Sequence, residues 1–241
     1  MAKISAKDGV ILIGGYNLST YASAYDIDMG QDKLDCTGFG DGWQNYVSGI
    51  YLGSMTLAMM WDSAAGKSVA ALKPLANKCV TIMPDGYALG NPVFSMHSEQ
   101  DRFGPGGKIN DLLTLGSIQF VTSGIDGGPC PAYALQHGTT TTTLTGTAFQ
   151  GLASAGTYRG GGFLHIWQAC AADTYAVKIR HCATAGGTYA DLVTFTLNGS
   201  AIGSEHVLVA SGTIQPYWRV EATRTGSAGN TFGFSCTFWC E

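Results

Sequence analysis

Apolar and polar side chains alternate along most of this chain with a period of two, the spacing of a half-buried β-strand. The segment YLGSMTLAMMW puts Tyr51, Met55, Leu57, Met59 and Trp61 on one face. Ile118 and Phe120 alternate with Gln119, and Tyr175, Val177 and Ile179 with Lys178 and Arg180. Trp218, Val220 and Ala222 oppose Tyr217, Arg219 and Glu221. Glycine and Ser/Thr clusters separate these runs at short intervals, the rhythm of a sandwich or barrel. One segment departs from the rule. DSAAGKSVAALKPL offers an N-cap at Asp62 or Ser63, apolar Val69, Leu72 and Ala76, and a stop at Pro74. It predicts a helix over residues 63–72. The threonine run HGTTTTTLTG favours extended backbone, and GLASAGTYRGGG reads as a glycine-rich joint. The expected fold is therefore mainly β. A sandwich or barrel domain with one short helix covers residues 1–149, and a second β-rich, sandwich-like module covers 150–241.

Composition narrows the function. Of the 241 residues 45% are apolar, enough for a substantial core, but only 12% are charged, about half the usual share. A surface so poor in charge is suited to meeting other protein. The net charge is −4 and no Lys/Arg run exists, which argues against a chain that grips nucleic acid. The N-terminal stretch MAKISAKDGV lacks the apolar core of a secretory leader, and no apolar run approaches the ~20 residues of a membrane helix. Synthesis in a cytoplasm and no membrane insertion are expected. The acids are uneven: Asp26, Asp28, Asp32, Asp35 and Asp41 crowd one segment against Lys33 alone. A solvated acidic loop is one explanation of that cluster.

The motifs that would carry chemistry are absent or incomplete. Seven cysteines include no CxxC pair. Cys236 and Cys240, four apart on an extended strand, are separated by roughly 13 Å, too far for a disulfide. They read as core thiols on the face of Phe232, Phe234 and Phe238. Gly66-Lys67-Ser68 sits between a strand and a helix, as a phosphate loop does, but Trp61 occupies the position where that loop needs glycine. No GxSxG, HExxH or HxH occurs, and the five histidines are scattered. No catalytic residue, metal site or cofactor is assigned, and no enzymatic activity is expected.

The stretch DCTGFGDGWQNYVSG, Asp35 to Gly49, is longer and more glycine-rich than a turn requires, yet holds Phe39, Trp43 and Tyr46. Around it the chain resembles the major tail tube proteins of long-tailed, siphovirus-like bacteriophages. The resembling features run in order. A strand ends in a small turn, Ile11 to Tyr16, and an acidic strand follows, Tyr25 to Asp28. A D-x-T-x-F motif comes next, Asp35-Cys36-Thr37-Gly38-Phe39, then a glycine-rich loop and a strand closing on Trp61-Asp62. Segments AVKIRHCATAGGTYADLVTFT and GTIQPYWRVEATRTGSAGNTFGFSCTF are similar to parts of other tail structural proteins. The cysteine excess departs from the pattern and leaves open whether some form disulfides in the particle.

The resemblance implies a structural virion protein located in the tail and assembled in the host cytoplasm. It would form stacked rings, a tube through which DNA is delivered. Phe39, Trp43 and Tyr46 would anchor contacts between subunits or rings, the alternative being that Trp43 folds back onto its own core. Asp26, Asp28, Asp32, Asp35 and Asp41 would line the channel, repelling DNA so that it slides without being held. The partners implied are further copies of the chain, other tail proteins such as a tape measure and a tail terminator, and DNA in transient, non-specific passage. Two ring plans are open. In one, three chains each give two wall modules and make a pseudo-sixfold ring. In the other, six chains close the wall and 150–241 decorates the outside. The apolar, charge-balanced second block favours three. A carbohydrate-binding or adhesion module is the runner-up reading, which needs Trp218 or Trp239 to face outward. A hydrolase is third.

Overall fold

The computed structural model describes residues 8–37, 43–107, 113–122, 130–170, 172–209, 212–227 and 229–241, with the side chains of 31, 32, 34, 47–52 and 130 excepted. The first half contains β1 (Val10–Ile13), β2 (Tyr16–Asn17), β3 (Ala22–Asp35), β4 (Tyr46–Met60), α1 (Ser68–Leu72), β5 (Asn77–Met83), β6 (Pro92–Gly106), β7 (Thr114–Thr122), β8 (Cys130–Thr140) and β9 (Leu144–Thr145). There follow β10 (Phe149–Gln150), β11 (Gly156–Thr157), β12 (Gly160–Gln168), β13 (Thr174–Cys182), β14 (Ala190–Thr194), β15 (Gly203–Leu208), β16 (Thr213–Ile214), β17 (Tyr217–Thr225) and β18 (Phe232–Cys240). The mainly β expectation holds.

Eleven strands form one sheet in the order β15-β12-β18-β8-β6-β5-β1-β2, with β7, β4 and β3 continuing from β6. β6 can serve three neighbours because it is 15 residues long. Its first residues pair with β8, Pro92 opposite Tyr133, and its last with β7, from Ser98 to Gly106. The sheet curls until β15 approaches β5, where the backbone N–H of Cys79 donates to Ser204 Oγ at 3.3 Å. A smaller sheet, β10-β17-β13-β14 with β9 beside β17, lies apart from it, and β11 pairs with β16.

This curling stacks the strands in layers with three cores between them. The outermost core lies between β3-β4-β7 and β1-β5-β6 and holds Met55, Leu57, Met59, Ile118 and Phe120 against Ile11, Ile13, Val80 and Ile82. The central core holds Leu12, Cys79, Met83, Val93, Phe163 and Trp239. The third lies between β12-β18-β8 and the five-stranded sheet, with Leu164, Phe234 and Phe238 against Tyr175, Val177, Ile179 and Trp218. Strands β12 and β18 are thus buried on both faces, as in a sheet covered on each side. The halves 1–149 and 150–241 share ladders, the longest where β18 pairs with β8 along seven residue pairs from Phe232↔Thr140 to Phe238↔Tyr133, with β9 pairing β17 as well. Residue 150 itself lies in β10, paired with β17.

The helix is shorter than its sequence predicts. Asp62 Oδ1 accepts the backbone N–H of Ala64 at 2.9 Å, a local turn rather than a helix cap. Gly66 has φ +75°, a left-handed conformation that stops a helix from running through it. The helix therefore starts at Ser68, whose hydroxyl donates to Met60 O at 2.8 Å and accepts from the backbone of Asp62 at 3.0 Å. That buried, committed hydroxyl is no phosphate ligand. At the other end Lys78 Nζ donates to Ala71 O at 2.8 Å, Pro74 O at 2.7 Å and Gln100 Oε1 at 2.8 Å. Burial lowers its pKa to about 8.

Candidate assembly surface

The long hairpin of β3 and β4 outruns its neighbour. β7 covers β4 only from Ser54 to Met60, whereas β3 pairs with β4 as far as Asp35↔Tyr46. The ladder that joins the stretch from Met29 to Asp35 with Tyr46 to Gly53 runs beyond the last β7 pair, an arm of roughly 20 Å. Pairing persists past the last ladder rung. The N–H of Cys36 donates to Asn45 O at 2.9 Å and that of Asn45 to Thr37 Oγ1 at 3.0 Å. Thr37 N–H and its hydroxyl both donate to Asp35 Oδ1, which holds that carboxyl below the ordinary carboxylate range.

Trp43 stands at the tip, 88% exposed, and Tyr46 is 53% exposed with its hydroxyl donating to Gln44 Oε1 at 2.9 Å. The indole does not fold back onto the chain's own core. Phe39 and Asp41 lie outside the described residues, as does the side chain of Asp32.

Asp26 and Asp28 are exposed on the outer face of β3, since Tyr25 and Ile27 turn toward the outermost core. They head two rows of mostly polar residues that cross the sheet. Asp26 is opposite Thr56, Thr56 opposite Gln119 and Gln119 opposite Arg102. Asp28 is opposite Ser54, Ser54 opposite Val121 and Val121 opposite Glu99. Among these residues the face carries three carboxylates and one guanidinium on mostly small side chains. Asp35 is separate, at the end of the arm.

The hairpin's opposite end exposes apolar side chains that the sequence pattern did not single out. Met60 and Leu113 are each 45% exposed and Leu75 is 62% exposed. Met60 follows Met59 and falls on the face that the alternation turns away from the core, where nothing local marks it as a contact residue.

The remaining candidates resolve as structure. Cys79, Cys170, Cys182 and Cys236 are buried free thiols, Cys240 is half-buried and Cys36 exposed. Burial raises the Cys79 thiol to about 12 and the Cys240 thiol to about 11. No group of three or more metal-ligating side chains converges among the described residues. Trp218 and Trp239 are 0% and 3% exposed, so the outward aromatic platform required by the carbohydrate-binding reading is missing at both positions. On the outer face of the five-stranded sheet charges pair with one another: Lys178 with Asp191 at 2.5 Å, Arg180 with Glu221 at 2.8 Å.

No family model matches the sequence, and no curated protein matches it significantly. Solved structures with partial likeness include a chain of the virion of a native gene transfer agent particle, at TM-score 0.41 and 13% identity, covering 52% of this chain and 96% of that one. The SPP1 Dit protein, of the hub adsorption apparatus of phages infecting Gram-positive hosts, gives 0.33 and 10% identity over 97% of this chain and 99% of that one. A chain of infectious bursal disease virus, Gx strain, gives 0.31 and 10% identity over 96% of this chain and 55% of that one. Likenesses of this size leave function to be argued from the chain's own geometry.

Proposed function

We propose that this chain is a structural subunit of a bacteriophage tail that polymerises as stacked rings into the tail tube, a channel for DNA delivery. The observation that carries the reading is the two-stranded arm tipped by an indole that is 88% exposed. Leaving an indole in water forfeits on the order of 2 kcal/mol of burial, which contact with another subunit recovers. The D-x-T-x-F motif and the glycine-rich arm loop in the tube-protein order support the same reading. The face bearing Asp26, Asp28 and Glu99 is the proposed channel lining, where carboxylates keep DNA from binding. Its proposed place is the virion tail, assembled in the host cytoplasm, with a tape measure and a tail terminator as partners.

The ring is proposed as three chains, each giving two β-rich blocks. The shared ladder of β8 and β18 supports it, because it holds 150–241 against the first block rather than on a tether. Six chains with 150–241 outside is the competing plan, in which the ion-paired face of the five-stranded sheet would meet solvent. Cryo-electron microscopy of the purified, concentrated protein tests both levels. Hollow tubes are expected. A chain that stays monomeric at all concentrations refutes the function, and a true sixfold rotational spectrum refutes the three-chain ring.

A further inference from the structure

Of the seven asparagines in the chain, only Asn198 precedes a glycine. The pair Asn198-Gly199 lies in the connection between β14 and β15, and that connection is anchored. Glu205 Oε2 accepts the backbone N–H of Thr196 and of Leu197, each at 2.9 Å. Asn198 O then accepts the N–H of Tyr175, and Gly199 O that of Cys170, both at 2.8 Å. These last two bonds engage the carbonyl oxygens of the pair. No hydrogen bond among the described residues engages the N–H of Gly199.

The Asn198 side chain is exposed and folds over the peptide that follows it. Its Oδ1 accepts the Ser200 N–H at 3.2 Å and the Ser200 hydroxyl at 2.7 Å, closing an Asx-turn. Two donors on one amide oxygen favour the negative charge that oxygen takes up when a nucleophile attacks Cγ. The neighbouring nitrogen belongs to a residue without a Cβ to obstruct it. Glycine is required there on other grounds too. Its φ is +81°, and a Cβ would lie 2.9 Å from the Phe232 ring.

We infer that Asn198 is a site of spontaneous deamidation in the folded protein. The Gly199 nitrogen gives its proton to solvent base and bonds to Asn198 Cγ. The Cγ–Nδ2 bond breaks, the amide nitrogen takes a proton from solvent and leaves as ammonia, and a five-membered imide closes. Water then adds to one of the two imide carbonyls and breaks its bond to the Gly199 nitrogen. Opening at Cγ leaves an aspartate at position 198, which keeps the Asx-turn because a carboxylate accepts the same two donors. Opening at the backbone carbonyl leaves an isoaspartate, whose main chain runs through Cβ and is one atom longer. That shifts the anchor to Tyr175 relative to the anchor to Cys170. Either product adds one negative charge, and neither depends on whether the chain assembles.

Peptide mapping by mass spectrometry tests this on the purified full chain, held at mildly alkaline pH both native and unfolded in urea. In the native chain Asn198 is expected to convert before any other asparagine, and no more slowly than in urea. Ser200→Ala removes the hydroxyl donor at an exposed position. It is expected to slow native conversion about threefold and leave the rate in urea unchanged, the effect of one lost hydrogen bond. Ser200→Thr restores a hydroxyl and should restore the native rate. Native conversion slower than conversion in urea overturns the site, because the anchored loop then shields the amide. A Ser200→Ala chain that converts like wild type when native overturns it as well.

Discussion

Nε2 of His165 lies 2.9 Å from Oγ1 of Thr81, a residue 84 positions earlier, in the central core. Thr81 also meets Ser95 Oγ at 3.0 Å, and Ser95 meets Thr237 Oγ1 at 3.0 Å. Four fully buried polar side chains from β12, β5, β6 and β18 are thereby tied across the curled sheet. Burial pulls the His165 pKa down to about 3, and the nearby His137 adds to the same effect. The imidazole is neutral, and the tie uses one of its two nitrogens.

Acid should loosen this tie. The unfolded chain takes up the His165 proton near the ordinary 6.5, while the folded chain resists it down to about 3. This contribution is complete above pH 6.5 and is lost as pH falls toward 3, by up to about 1.4 kcal/mol per pH unit. His137 and His181 are displaced in the same direction by burial and add to the slope. Urea unfolding between pH 7 and pH 4 should show the decline. His165→Gln should cost about 1–3 kcal/mol at pH 7 and flatten the acid limb. An unchanged limb in that variant would count against the tie.

Gly15 lies where the curled sheet brings the start of β15 against the turn between β1 and β2. Its φ is +90°, and a Cβ there would sit 2.5 Å from the backbone N and O of Gly203 at the start of β15. Gly15→Ala should lose on the order of 3 kcal/mol in chemical denaturation. Gly116, with open space around its Cβ position, is the control and should change by less than about 0.5 kcal/mol as alanine.

Trp43→Ala should fold with an unchanged thermal midpoint, since the indole touches little of its own chain, yet weaken polymerisation by about 2–4 kcal/mol. Negative-stain microscopy across a concentration series reads the effect. Normal tubes at wild-type concentrations would remove Trp43 from the interface.

Asp26→Lys combined with Asp28→Lys should leave tube assembly largely intact, because both side chains are exposed away from the cores. Delivery of DNA should suffer, as lysines on the channel wall hold phosphate. Phage carrying both changes should adsorb normally and eject slowly in a dye-uptake assay. Full infectivity would take these acids out of the channel.

The strands were legible in the sequence because the pleat imposes a period of two that burial then fills. Met55, Leu57 and Met59, or Trp218, Val220 and Ala222, had to share a face wherever they lay. Trp43 was marked as unusual because glycine-rich loops seldom carry an indole. The helix start was not legible: Asp62 and Ser63 suit a cap, but Asp62 turns its carboxylate onto Ala64 and Gly66 swings left-handed, choices set by the packing of Ser68 against β4. Nor did alternation reveal that Thr81, His165 and Thr237 are interior. A polar residue between apolar ones reads as solvent-facing unless a second layer covers that face, and the covering layer comes from strands up to 142 residues away, as in the pair Ser95 and Thr237. Local pattern assigns a residue to one of two faces. Only the curling of the sheet determines what, if anything, lies against each.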